Sequence, residues 1–262
     1  VLAREWSDRQ PFGRESERSP RHRAHSTRGQ GRSAGRAGFA PAPLQCRAVP
    51  VAADFLIAAG VAALVDWWAV ARGRRTVELC AKPLTMALLV GVAATVGDPG
   101  GDVRAWLVVG AVLGLVGDIA LLGDGDAAFI VGLGAFALGH LAYAIAALRV
   151  DFDPAWALVG VAFMAVLLGY RFATRTVPGA RRRGGVALAT AVVFYACVIT
   201  AMVVTAWGTA TVLAGVGAMA FAASDWVLGH ERFVGPIPGG RMSVIVPYHV
   251  GQALLIIGLA TT

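Results

Sequence analysis

Apolar residues in this chain gather into blocks close to twenty residues long, separated by short polar links, and that repeat restricts the fold more than any motif does. The blocks run roughly over 50–71, 76–96, 104–123, 127–149, 154–171, 184–206, 209–229 and 242–261. Twenty helical residues rise about 30 Å, the thickness of a bilayer's hydrocarbon core. In lipid only helices and closed barrels satisfy every backbone N–H and C=O, and the blocks lack the apolar and polar alternation of barrel strands. The chain therefore reads as an all-α polytopic membrane protein, a bundle of about eight transmembrane helices. Composition agrees, because 15% charged residues is well under the quarter or so of a soluble domain. Short links imply antiparallel neighbours, and the longest internal ones, "TRTVPGARRRGG" and "HERFVGPIPGGR", are read as polar connections.

The excess of positive charge lies at one end. Residues 1–50 hold ten Arg against four acids, whereas the remainder holds thirteen Lys or Arg against twelve acids. Residues 1–49, rich in Arg, Ser, Gly and Pro and without an apolar block, are expected to be a disordered tail, with 50–262 as the transmembrane domain. The tail lacks the order of a secretory signal, and its four acids do not suit a transit peptide. Its expected origin is upstream sequence included by a misplaced start, so nucleic acid is not an expected partner. Ten arginines (Arg72, Arg74, Arg75, Arg171, Arg175, Arg181, Arg182, Arg183, Arg232, Arg241) fall in links on one side, against Arg104 and Arg149 on the other, which makes the first side cytoplasmic. The use of 22 Arg to one Lys points to a GC-rich, bacterial source, hence a multi-pass protein of a bacterial plasma membrane. Cys46, Cys80 and Cys197 have no metal or redox spacing and read as small hydrophobes.

Ionisable groups inside a span are costly and usually face a cavity or a partner. Here they are Glu78, Lys82, Asp118, His140, Asp225 and His249. Asp54 and Asp66 lie nearer helix ends and read as interfacial. Lys82 and Tyr248 enter from the arginine-rich side, and Asp118 and Asp225 leave toward it, about four to six residues inside their blocks. Four helices thus place polar groups in one layer, as a cavity open to that side requires. Glu78 and Lys82, spaced i,i+4, suit a pair on one helix face, while Lys82 could instead snorkel to the interface. Asp118 and Asp225 have no basic neighbour on their own turn, so their partners must come from other helices. His140 and His249 suit either packing or function, and Tyr143, Tyr195, Ser224 and Gln252 are weaker signals.

Five segments in order, "ELCAKPLTMALL" (78–89), "GLVGDIALL" (114–122), "FALGHLAYA" (136–144), "FAASDWVL" (221–228) and "PYHVGQALLIIG" (247–258), resemble the YhhN-type lysoplasmalogenase family over residues 50–262. The resemblance implies an integral membrane hydrolase that cleaves the vinyl ether of lysoplasmalogens to a fatty aldehyde and a glycerophospho-alcohol. It places the essential aspartates on Asp118 and Asp225, with Lys82 in the "KP" element.

That chemistry suits the residues. A vinyl ether is hydrolysed by protonation of its β-carbon, capture of the oxocarbenium ion by water and collapse of the hemiacetal, which calls for an acid and an anion. Two carboxyls in a poorly solvated site can divide these roles, one protonated and one ionised. Lys82 is then available to the lipid phosphate, with His140, Tyr143, Tyr195, Ser224, Tyr248 and His249 as substrate-binding candidates. The expected partners are a lysophospholipid and the bilayer, and no metal or other cofactor is called for. Two other classes fit the same residues. A metal-dependent lipid amidase or esterase would use His140, His249, Asp118 and Asp225, without a metalloprotease-type spacing to support it. A small-solute or proton-coupled transporter would use the two carboxylates for a coupling ion, without a visible inverted repeat.

Overall fold

The computed structural model describes residues 45–262, so residues 1–44, most of the expected tail, lie outside the described residues. Among those described there are eight α-helices and no strands: α1 (Gln45–Ala71), α2 (Arg75–Thr95), α3 (Gly101–Leu121), α4 (Asp126–Ala147), α5 (Pro154–Leu167), α6 (Val177–Gly208), α7 (Val212–Phe233) and α8 (Met242–Ala260). Seven are long and apolar enough to cross a membrane. Large side chains such as Ile57, Leu64, Leu138, Leu158, Val166 and Phe194 are exposed, which suits a lipid-facing surface. The eighth, α5, has only 14 residues. At about 21 Å it falls short of the hydrocarbon core, so the expected eighth full span is a shorter helix. It starts sharply, with the Asp153 carboxylate accepting from the Ala155 N–H at 2.8 Å and Pro154 at the first helical position.

The "TRTVPGARRRGG" segment is not an irregular link. Phe172–Thr176 form a π-helical turn that runs directly into α6. Its inner residues Thr176, Gly179 and Ala180 are buried while Arg175, Arg181, Arg182 and Arg183 are exposed. The amphipathic pattern docks this segment on the end of α7, where a Cβ on Gly179 would lie 2.2 Å from the Phe233 carbonyl oxygen. Gly184 and Gly185 then break α6, Gly185 at φ +68°, a backbone state that side chains with a Cβ disfavour. The membrane-spanning part of α6 follows that break.

Two helix pairs approach especially closely. A Cβ on Gly217 would sit 2.4 Å from Leu255 N, and one on Gly258 would sit 2.3 Å from Ala214 N, so α7 and α8 touch backbone to backbone. Gly139 packs likewise on α3, where its Cβ would lie 3.2 Å from the Gly110 carbonyl oxygen. Without a hydrophobic driving force in lipid, such small-residue contacts give helices the dispersion energy that holds them together.

The polar ends sort into two sets. At one end Arg75 donates to the Leu122 carbonyl at 2.6 Å, Arg232 pairs with Asp126, and Glu78 pairs with Arg75 and Arg241. At the other, Arg104 caps the carbonyl of Gly97 at 2.8 Å and the Asp153 N–H donates to the Gly208 carbonyl at 2.7 Å. The arginine-rich links therefore share one end of the bundle.

Candidate functional site

Lys82 sits seven residues into α2, and its ammonium lies 3.2 Å from Asp118 Oδ1 on α3. The i,i+4 pairing with Glu78 is overturned: Glu78 turns to Arg75 at 3.1 Å and to Arg241, which leaves Lys82 to the interior. Asp118 is 1% exposed, and its second oxygen accepts from the Tyr248 hydroxyl at 2.9 Å. A cation and a phenol therefore hold one buried carboxylate from two helices. Both contacts favour the ionised form of this carboxyl and so oppose the cost of its burial.

Asp225 has a separate set of partners. The structure continues α7 to Phe233, so this residue lies about 12 Å inside the helix end rather than about four residues. His140 Nε2 of α4 is 3.1 Å from Asp225 Oδ2, the Tyr195 hydroxyl of α6 donates to the same oxygen, and the hydroxyl lies 2.8 Å from His140 Nε2. Three helices thus meet in a triangle of imidazole, phenol and carboxylate. The His140 ring is 1% exposed.

The two aspartates do not share a hydrogen bond among the described residues. Aromatic rings separate their clusters: Phe221 stands with its centroid 4.6 Å from that of His140 and 5.2 Å from that of Tyr248, both near perpendicular. Phe136 packs edge-on to both Phe221 and Tyr248.

The remaining sequence candidates divide. The Tyr143 hydroxyl donates to Gln252 Oε1 at 2.8 Å, both residues being fully buried. Gln252 also approaches the Asp118 cluster, since a Cβ on Gly114 would meet its Nε2 at 2.8 Å and the Tyr248 hydroxyl at 3.7 Å. Ser224 donates to the Val244 carbonyl at 2.8 Å and ties α7 to the start of α8, a packing contact. His249 accepts at Nδ1 from the Trp67 indole at 3.2 Å, while its buried Nε2 has no partner. The four donors of the metal reading are therefore dispersed over three clusters, and no three His, Cys, Asp or Glu side chains group among the described residues.

Sequence reasoning found the helix α1 but missed its part in the polar site. Asp66, expected at the interface, is 0% exposed with neither carboxylate oxygen hydrogen-bonded. Its charged neighbours are Lys82, Glu78, Asp118 and Arg241. It continues the buried stripe Ala59, Ala62, Ala63 and Ala69, and that helical spacing is the signal that could have found it. Trp67, the next residue, reaches His249 as above.

An apolar cavity lies beside the Asp225 cluster. Its open space, mouth included, is about 680 Å³, and Phe136, Met164, Val192 and Ile199 line it with Tyr195 and Asp225 among its few polar groups. Asp225 keeps 11% of its side chain exposed, whereas Asp118 is sealed. A polar vestibule at the arginine-rich end reaches Lys82 and is lined also by Glu78, Asp124, Glu231, Arg232 and Arg241.

Helices that cross the bilayer, polar side chains converging from seven of them and an apolar cavity beside Asp225 define a polytopic membrane protein with an intramembrane site. Residues 77–259 match the YhhN family, and the chain belongs to that family. No curated protein and no solved structure matches it. The matched segment begins after α1, so Asp66 and Trp67 lie outside it.

Proposed function

We propose that this protein is a membrane hydrolase that cleaves the vinyl ether of lysoplasmalogen-like lysophospholipids, releasing a fatty aldehyde and a glycerophospho-alcohol. The observation that carries the reading is the unequal placement of two buried carboxyls. Asp225 opens into an apolar cavity beside His140 and Tyr195, while Asp118 is sealed under Lys82 and Tyr248.

In this reading Asp225, held by His140 and Tyr195, acts as the acid and gives a proton to the β-carbon of the vinyl ether. The double bond's electrons form the new C–H bond, and the ether oxygen shares the resulting positive charge with the α-carbon. Asp118 supplies a fixed negative potential that favours this cation, an electrostatic role that needs no contact with substrate. Water adds to the α-carbon and loses a proton to the Asp225 carboxylate, which restores the acid. The hemiacetal then breaks its C–O bond to aldehyde and alcohol. Lys82 and Tyr248 position Asp118, and Tyr143 holds Gln252 beside that cluster. The arginine-rich end faces the cytoplasm, in keeping with the positive-inside rule, and the membrane is a bacterial plasma membrane.

The test is incubation of the purified protein with 1-alkenyl and 1-acyl lysophosphoethanolamine. Aldehyde from the alkenyl lipid, with no fatty acid from the acyl lipid, is the expected result. Fatty acid release, or turnover of neither lipid, overturns the reading.

A further inference from the structure

The arginine-rich end of the apolar cavity is closed by the π-helical turn Phe172–Thr176 and the last turns of α7, and three polar atoms there lack any hydrogen-bond partner. They are Thr176 Oγ1, Trp226 Nε1 and His230 Nδ1, all buried. Thr176 is 3% exposed and His230 6%. Thr176 and Trp226 line the cavity, and the His230 ring stacks on Trp226 with centroids 5.3 Å apart. Gly229 brings the two elements together, since its Cβ would meet the Thr176 methyl at 4.0 Å. A buried polar group without a partner is destabilising, and an indole N–H can only donate. Thr176 Oγ1 and His230 Nδ1 can donate beside it, so the three together suit a ligand rich in acceptor oxygens.

Charge points to the same ligand class. Arg171 and Arg175 act electrostatically on His230, are exposed, and make no ion pair among the described residues. The polar vestibule near Lys82 is different, because each of its cations already has a carboxylate: Lys82 has Asp118, Arg232 has Asp126 and Arg241 has Glu78. Glu231, the acid next to His230, lines that vestibule as well. Unmatched positive charge therefore lies at the cavity end, where the π-turn, a rare winding frequent at functional sites, faces Thr176 inward and leaves Arg175 outside. Along α7, His230 lies about 7.5 Å beyond Asp225, comparable to the reach of a glycerol backbone.

We propose that Thr176, Trp226 and His230, with Arg171 and Arg175 at the rim, bind the phosphate of a single-chain phospholipid whose chain occupies the apolar cavity. The placement of the reacting bond at Asp225 rests on the hydrolase reading, but phosphate recognition does not. The experiment uses ligands that cannot react. Thermal melting in an uncharged detergent is followed with 1-O-hexadecyl-glycero-3-phosphoethanolamine, with 1-O-hexadecylglycerol and with inorganic phosphate.

Wild-type protein is expected to be stabilised most by the phosphate-bearing ether. Thr176→Val, Trp226→Phe and the exposed double change Arg171→Gln with Arg175→Gln should each weaken its binding about ten-fold or more, the scale of a lost charge-assisted hydrogen bond, and leave hexadecylglycerol binding unchanged. The arginine variant, at exposed positions, guards against misfolding in the other two. Undiminished binding of the phospholipid in that variant overturns the proposal. Equal stabilisation by inorganic phosphate also overturns it, by making this a free-anion site. Absence of aldehyde release from alkenyl lipids would remove the hydrolase reading and leave these binding results standing.

Discussion

His140 on α4 and Asp225 on α7 lie 85 residues apart in sequence and 3.1 Å apart in space, with the Tyr195 hydroxyl bridging to both. Such a triangle fixes a carboxyl against an apolar cavity. Asn nearly matches Asp in shape but has neither an acidic proton nor a charge, so Asp225→Asn should fold normally and lose about 10²- to 10⁴-fold in aldehyde release. Asp118→Asn should lose a similar factor. If the two act in one device, the double variant should be little worse than either single one. Normal turnover by either well-folded single variant returns that aspartate to packing.

Lys82 and Asp118 separate stability from activity. Lys82→Met strands a buried carboxylate, and breaking such a pair typically costs about 3–5 kcal/mol. Adding Asp118→Asn should recover most of the lost melting temperature, because the charge without a partner is gone, while turnover stays low. A double variant that melts no higher than Lys82→Met alone would mean that the pair contributes through packing rather than charge.

Asp66 has no hydrogen bond, so its carboxylate is held only by the charges around it. Asp66→Asn should melt within a few degrees of the wild type. A drop comparable to that of Lys82→Met would show that Lys82 divides its charge between Asp66 and Asp118.

Trp67 gives His249 its only hydrogen bond among the described residues. With Nδ1 accepting, the neutral ring carries its proton on Nε2. Trp67→Phe keeps most of the stacking surface and removes the donor, at a cost of about 1–3 kcal/mol for the acceptor left without a partner. Melting in detergent measures that cost, and the nitrogen shifts of His249 in a labelled sample should report a change of tautomer. Unchanged shifts would show that the indole does not set the ring.

The spans were legible because bilayer thickness is written directly into the length of an apolar block. Asp118 and Asp225 stood out for the same reason, as charges where lipid admits few. What the sequence hid depends on which way a helix faces. Depth alone puts Asp66 at the interface, yet its membership of the stripe Ala59, Ala62, Ala63, Ala69 decides its burial. Glu78 and Lys82 satisfied a local spacing rule, and partners from α3 and from Arg241 outcompeted it. The segment from Phe172 to Arg183 looked like a link because Pro, Gly and Arg dominate it. Its helix forms because Thr176, Gly179 and Ala180 share the face that meets α7.

The close crossing of α7 and α8 gives missing atoms a metric role. Asp225 rides on one helix and Tyr248, the phenol that holds Asp118, on the other. Their separation is gauged by hydrogens at Gly217 and Gly258 where any other residue would present a carbon 2.4 and 2.3 Å from opposing backbone nitrogen. A single methyl there must push the helices about 1 Å apart, because protein interiors are too densely packed to absorb it. The spacing between Asp225 and Tyr248 is thus calibrated at positions that touch neither, and a substitution there would shift it without changing a single polar side chain.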